Sequence, residues 1–282
     1  MRRVLSLLSS VKRRLINQKN HLRRRPFICP ILAPTTNSTE SFVSCIELIT
    51  GERRIWIRTN STIDLLTLAG EIFVQSRYCP RDLPIDIGRN DIVFDVGANI
   101  GVFSIYAALR TQNKVLAFEP VPANYGLLVD NLSTNGLANV LEVPKAVSDR
   151  HKVTKMLMFE GEMTGCRIPS PKLDRGELDN KQMIQVECVT IAEAMETFSV
   201  DRLDFLKLDC EGEEFAILYG LEQRILRSIG TIALEYHDNV GKGFSSELAR
   251  YLIGQGFKVC IREDLTRPSL GYLYAWQKER RA

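Results

Sequence analysis

The sequence predicts an α/β protein built on a mostly parallel, seven-stranded sheet with helices on both faces. Three observations predict it. From residue 91 onward, short apolar runs alternate with helix-length segments, the pattern of repeated βαβ units. The first run turns through Gly97-Ala98-Asn99-Ile100-Gly101 directly into a helix. The 282-residue chain, 45% hydrophobic and 25% charged, has the size of one large domain or of a core with an extension, and ample material for a buried core.

Taken in order, residues 1–25 carry nine Lys or Arg (Arg2, Arg3, Lys12, Arg13, Arg14, Lys19, Arg23, Arg24, Arg25) and no acid, the first acidic residue being Glu40. At about 100° per residue, Val4, Leu7, Leu8, Val11 and Leu15 form one apolar stripe of a helix. Residues 1–28 therefore read as a basic amphipathic tail, with three uses open: a solvated end, a surface helix drawn to anionic lipid, or a mitochondrial transit peptide. Residues 29–84 read as a lead-in region. Pro26, Pro30 and Pro34 mark a linker over 26–38, and the runs Phe42–Ile49 and Arg54–Arg58 around Thr50-Gly51-Glu52 predict a hairpin with Gly51 at positive φ. A helix is expected within 62–78.

The main domain, 85–282, holds the expected sheet strands Asp91–Val96, Lys114–Phe118, Val140–Val147, Phe205–Leu208, Thr231–Tyr236, Lys258–Ile261 and Tyr272–Trp276. Helices are expected at Ile100–Leu109, Val121–Asn135, near 190–197, 213–227 and 244–255. Val153–Phe159 and Met183–Val189 read as extra strands around a polar loop, 160–181.

Charge and cysteine usage narrow the function. Nine of the 37 basic residues lie in the tail, so 28 face 34 acidic residues in the rest, a net charge of −6. A mildly acidic body does not offer a broad nucleic-acid surface, so nucleic acid is not an expected partner. The seven cysteines are scattered, with no CxxC pair and no zinc-type spacing, and read as reduced thiols. No apolar run approaches the roughly 20 residues of a membrane span. The expected location is cytoplasmic, with membrane association through the tail or mitochondrial import as alternatives.

Three segments carry chemistry. The first strand ends in Asp95 and enters the glycine loop, where Gly97 lets backbone approach a ligand, Gly101 lets the helix pack tightly and Asn99 tolerates left-handed φ and can cap the helix. Asn99 stands where the middle glycine of a dinucleotide fingerprint would be, which opposes a pyrophosphate and a nicotinamide cofactor. An acidic residue beside the loop, Asp95, suits a cationic ligand better. Glu119, 24 residues on at the end of the second strand, is placed to accept hydrogen bonds from ribose hydroxyls. The third segment, Lys207-Leu208-Asp209-Cys210-Glu211-Gly212-Glu213-Glu214, crowds four acids and a lysine at the end of the fourth strand. Such a cluster needs a cation to relieve it. Glu213 is expected merely to favour the next helix's N-terminus.

These residues resemble the FkbM family of methyltransferases. The resemblance rests on Phe94-Asp95-Val96-Gly97-Ala98-Asn99-Ile100-Gly101-Val102-Phe103-Ser104, on Phe118-Glu119-Pro120, on Asn131, on Ala146-Val147-Ser148-Asp149, and on Phe205 to Glu214, which fills the family's K-x-D-x-E-G-x-E pattern. It covers about residues 85–280 and leaves the tail outside. It implies a Rossmann-like class I methyltransferase fold and S-adenosylmethionine as methyl donor. It also implies transfer to a hydroxyl oxygen on a sugar, lipid or secondary metabolite. By position, it implies that Asp95, Gly97, Asn99 and Gly101 form the methionine-side loop, that Glu119 holds the ribose, that Val147 and Ser148 border the adenine, and that Asp209 and Glu211 face the transfer site.

A hydroxyl acceptor must lose its proton as the new bond forms. Asp209, Glu211 and His237 are the candidate bases, with Lys207 the cation among them. His237 follows Glu235 at the end of the fifth strand, on the ligand-binding edge. A metal held by Asp209, Glu211 and Glu235 is conceivable, yet no ligand spacing demands one, and none is expected. The partner is a small-molecule or glycan hydroxyl, with peripheral membrane contact through 1–25 left open. Two other readings stand beside this one: an RNA methyltransferase on the same fold, and a non-catalytic cofactor-binding scaffold.

Overall fold

The apolar runs pair as their alternation requires. In the computed structural model, residues 27–31, 44–50, 53–59, 62–158, 166–169, 182–238, 243–264 and 267–277 are described. The main sheet is assembled from β4 (Val93–Val96), β5 (Val115–Phe118), β6 (Val140–Val143), β10 (Leu203–Leu208), β11 (Ile229–His237), β12 (Lys258–Asp264) and β13 (Arg267–Trp276). Their order is β12-β13-β11-β10-β4-β5-β6. The strands from β11 to β6 pair in parallel, and β13 alone runs against its neighbours. All four residues of β4 are buried, as a central parallel strand covered on both faces demands.

Side chains of β4 and β10 alternate between two apolar layers. Val93 and Phe205 face one core with α2 (Val102–Ala108) and α3 (Pro122–Thr134). Phe94 and Leu206 face the other, with α4 (Ile191–Thr197), α5 (Glu214–Gly220), α6 (Gln223–Leu226) and α7 (Ser245–Gly254). The cross-strand register sets Lys207 beside Asp95, so the two charged residues meet at the carboxyl end of the sheet.

The lead-in is a three-stranded antiparallel sheet, β1 (Phe27–Ile31), β2 (Ser44–Thr50) and β3 (Arg53–Thr59). The expected hairpin is β2–β3, and its turn at Gly51 lies outside the described residues. The expected linker over 26–38 contains β1, whose Pro30 is tolerated because β1 is an edge strand. Ile46, Leu48, Ile55 and Ile57 join the α2–α3 core. The free edge of β3 is closed by two asparagines of the α3 end. Asn131 accepts from the Arg58 N–H (2.8 Å) and donates to the Arg58 carbonyl (3.1 Å) and to the Ile100 carbonyl (2.9 Å). Asn135 does the same for Trp56, at 2.8 and 2.6 Å. Helix α1 (Thr62–Ala69) and a π-helical turn, Gly70–Val74, then lead toward the carboxyl edge of the main sheet.

Three other expectations change. Val140–Val147 is not one strand: Pro144 has no N–H to continue the ladder, and Ala146–Val147 (β7) leaves for a second small sheet with β8 (Lys152–Met158) and β9 (Gln182–Val189). The 213–227 helix breaks at Leu221, which is extended, with φ −68° and ψ 134°. Helix α2 starts at Val102, with Gly101 as N-cap and no side-chain cap, so Asn99 does not cap it. The basic segment 1–25, with its expected helix and membrane contact, and most of 160–181 lie outside the described residues. No described helix is long and apolar enough to cross a membrane.

Candidate active site

At the carboxyl ends of β4, β5, β10 and β11 lies a cavity of about 430 Å³, where ligands of open α/β sheets bind. Its floor is the glycine loop, with Gly97, Ala98 and Asn99. Glu119 and Val147 line one end, and Asp209, Glu211, Glu235 and His237 the other. The lead-in supplies a wall through Leu68, Glu71, Arg77 and Tyr78, and Met156 and Ile168 come from the region of the second small sheet.

The loop geometry explains its glycines. Gly97 has φ +74°, and a Cβ there would overlap the carbonyl oxygen of Asp209, so the loop lies directly on the acidic segment. Gly101 has φ +87°, and its Cβ would come within 2.6 Å of Leu128 Cδ1. Asn99 takes the expected left-handed φ, +52°.

Asp95 does not face the cavity. It is fully buried, accepts a hydrogen bond from Ser104 Oγ (2.6 Å) and pairs with Lys207 Nζ at 3.0 Å. Lys207 Nζ also donates to the carbonyls of Gly97 (2.7 Å) and Val96 (3.3 Å). Burial pushes the Lys207 pKa down, but Asp95 and Asp209 outweigh it and hold the ammonium charged. Lys207 thus clamps the glycine loop, and its ammonium reaches a carboxylate at the cavity only at 3.8 Å, on Asp209.

Glu119 is 4% exposed, and its two oxygens accept from the N–H groups of Asn99 (2.8 Å) and Val121 (2.9 Å). Burial pushes its carboxyl up to about 7 in spite of those bonds. Each oxygen keeps a lone pair, so the group can still receive two donors from the cavity. Val147 lines the cavity beside it. Ser148 does not: its hydroxyl meets Glu213 Oε2 at 2.6 Å. Glu213 is buried at 4%, so it is more than a solvated acid at a helix start.

The acidic segment forms a tight turn. Glu211 sits at φ +56° and Gly212 at +108°, and a left-handed non-glycine residue costs about 1–2 kcal/mol. Glu214 holds that turn by accepting from the N–H groups of Cys210 and Gly212, both at 2.9 Å. It also faces His237 Nδ1 at 3.3 Å, while Nε2 faces Glu211 at 3.2 Å. Burial pushes the imidazole down, but Glu214, Glu211 and Asp209 together push it up to about 10. A group so placed is already protonated at neutral pH and cannot serve as a base.

Sequence reasoning missed a chain of groups from the lead-in. The Tyr78 hydroxyl donates to Asp209 Oδ2 at 2.8 Å. Arg77 pairs with Glu71 at 3.0 Å and donates to the Tyr272 hydroxyl at 2.9 Å, and that hydroxyl donates to Glu235 Oε2 at 3.1 Å. Burial and the nearby Asp209 push Glu235 up to about 7. Glu235 was legible as the end of the fifth strand. Tyr78 and Arg77 were not, since their partners lie 131 and 195 residues away.

The sequence profile of the Methyltransferase FkbM domain matches residues 95–259, more than half of the chain. The chain belongs to the FkbM methyltransferase family. Among the family's relatives, it is 27% identical over 218 residues to the 31-O-demethyl-FK506 methyltransferase FkbM of Streptomyces tacrolimicus, covering 69% of this chain and 82% of that one. It is 26% identical over 154 residues to the hexuronic acid methyltransferase AglP of Haloferax volcanii, covering 54% and 58%. It is also 27% identical over 274 residues to the AMB antimetabolite synthetase AmbE of Pseudomonas aeruginosa, where 85% of this chain spans 13% of that protein's length. The matched FkbM segment runs from Asp95 through Glu119, the acidic turn, Glu235 and His237 to β12, and leaves Glu71, Arg77, Tyr78 and Tyr272 outside. The family implies S-adenosylmethionine as the methyl donor.

Proposed function

We propose that this chain transfers a methyl group from S-adenosylmethionine to a hydroxyl oxygen of a small metabolite or sugar. The observation that carries the reading is a single cavity floored by the glycine loop and lined by both Glu119 and a carboxylate cluster. The donor set fits this cofactor. Glu119 offers free lone pairs to a ribose diol, and Ala98 and Asn99 line the cavity beside it. Lys207, the ammonium that touches the loop, is engaged by carbonyls and Asp95 and offers nothing to a pyrophosphate. When bound, the cofactor supplies an electrophilic methyl on a sulfonium, a cation that the carboxylates of Asp209 and Glu211 attract.

The residues then have distinct tasks. Glu119 and Val147 bind and orient the nucleoside. Asp209, fixed by Tyr78, faces the acceptor. Glu235 takes the acceptor's hydroxyl proton, because a carboxyl near 7 is both ionised often enough and basic enough at neutral pH. Positioning does much of the remaining work in an in-line displacement. The carboxylates at this end repel a phosphodiester, which favours a small acceptor over RNA. The relatives named for FK506 and for a hexuronic acid support the same choice.

The test is methyl transfer to a panel of hydroxylated sugars and metabolites by Asp209→Asn and Glu235→Gln. Both should lose turnover while binding S-adenosylhomocysteine as the parent does. Full turnover in both variants would remove the carboxylates from the reaction.

A further inference from the structure

Two carboxylates and one imidazole converge at the acceptor end of the cavity. Asp209, Glu211 and His237 each offer one ligand atom, and the three atoms lie within 4.8 Å of one another. They come from two elements: Asp209 and Glu211 from the turn after β10, His237 from the last position of β11. Around one divalent ion with bonds of about 2.1 Å, donors stand about 3 to 4 Å apart. From separations of up to 4.8 Å, the side chains therefore need to close by up to about 1.8 Å.

Outer contacts already orient two of the three. The Tyr78 hydroxyl donates to Asp209 Oδ2 and leaves Oδ1 for another partner. Glu214, itself locked by two backbone N–H groups, stands against His237 Nδ1 and directs Nε2 toward the cavity. A carboxylate behind the distal nitrogen is the usual support of a metal-ligating imidazole. Glu211 is held in a left-handed conformation that brings its carboxylate to Nε2. Among the described residues, the Lys207 ammonium is spent mainly on the glycine loop and Asp95 and reaches the cluster only at 3.8 Å, on Asp209.

We propose that Asp209, Glu211 and His237 form a divalent-cation site whose open positions face the cavity. Two carboxylates and one imidazole suit Mn²⁺ or Mg²⁺, the nitrogen donor favouring Mn²⁺. The ion would lie between Glu211 and Nε2, where an imidazole proton otherwise pairs them. Its open positions would receive the acceptor hydroxyl and lower that oxygen's affinity for its proton. The purpose of the site rests on the methyltransferase reading, while metal binding itself is measured without cofactor or acceptor.

The experiment is titration of Mn²⁺ alone into the full chain, followed by the loss of the free-ion electron paramagnetic resonance signal. The parent should bind one equivalent, and Glu211→Gln should bind at least about tenfold more weakly. His237→Ala should bind none. Because His237 is buried, Glu211→Gln, at a side chain 26% exposed, carries the test if that variant misfolds, with S-adenosylhomocysteine binding in the same samples reporting a folded core. No stoichiometric Mn²⁺ binding by the parent, or undiminished binding by Glu211→Gln, overturns the site. In that event retained S-adenosylhomocysteine binding leaves the methyltransferase reading standing, and its loss counts against that reading separately.

Discussion

Replacing Lys207 by methionine tests whether the lysine of the acidic motif supports the loop or takes part in transfer. The methionine fills similar volume but removes the ammonium. Asp95, with a fully buried side chain, would lose its 3.0 Å cation, and the Gly97 carbonyl would lose the 2.7 Å ammonium donor. Removing one partner of a buried ion pair costs about 3–5 kcal/mol, because the remaining charge is left unpaired. At roughly 2 °C per kcal/mol for a chain of this size, melting should fall by about 6–10 °C. The double variant Asp95→Asn/Lys207→Met should regain much of that loss, since no charge then stays buried. Thermal unfolding followed by circular dichroism reads both. A Lys207→Met protein that melts with the parent yet transfers no methyl would refute the supporting role and make the lysine a reacting group.

Other outcomes follow from single contacts. Cofactor hydroxyls donate best to an ionised Glu119, whose carboxyl burial has pushed up to about 7. S-adenosylhomocysteine affinity should therefore rise between about pH 5 and about pH 8, with proton release seen by calorimetry in buffers of different ionisation enthalpy; a flat profile would contradict it. The same raised value means that this group's contribution to folding is fully present below 4.5 and is lost as pH rises through about 7. Gly97→Ala should abolish cofactor binding, because its Cβ overlaps the Asp209 carbonyl. Gly126→Ala, in open helical surroundings, should be neutral or stabilise by about 0.5–1 kcal/mol in the same melting assay. Asn131→Leu strips both polar groups of Arg58 of their partner and should cost about 2–3 kcal/mol in denaturant unfolding.

The parallel core was legible because buried parallel strands are short apolar runs bounded by glycine loops, and those runs stand in order in the chain. The glycine loop, Glu119 and the acidic turn were legible as motifs, yet the motifs did not state which members face the ligand. Asp95 looks like a ligand group in sequence and proves to be the buried partner of Lys207, which lines the cavity but spends its ammonium on Asp95 and the loop carbonyls, because strand register sets the two side by side. Ser148 likewise turns its hydroxyl to Glu213 and is not among the residues that line the cavity, whereas Glu213 is. The second small sheet was missed at its root because one residue, Pro144, divides what reads as one strand over 140–147. His237 was visible on the right edge, but its state follows from Glu214 and Glu211 on another strand's turn. Tyr78, Arg77 and Tyr272 carry no local signal, since only tertiary packing of the lead-in brings them to the site.

The measurement that bears most directly on the central claim is calorimetric titration of the purified chain with S-adenosylmethionine and S-adenosylhomocysteine, with NAD as control. The account predicts that both adenosyl ligands bind at one site and NAD does not, and that Glu119→Gln weakens both. Binding of NAD, or of neither adenosyl ligand, would contradict it.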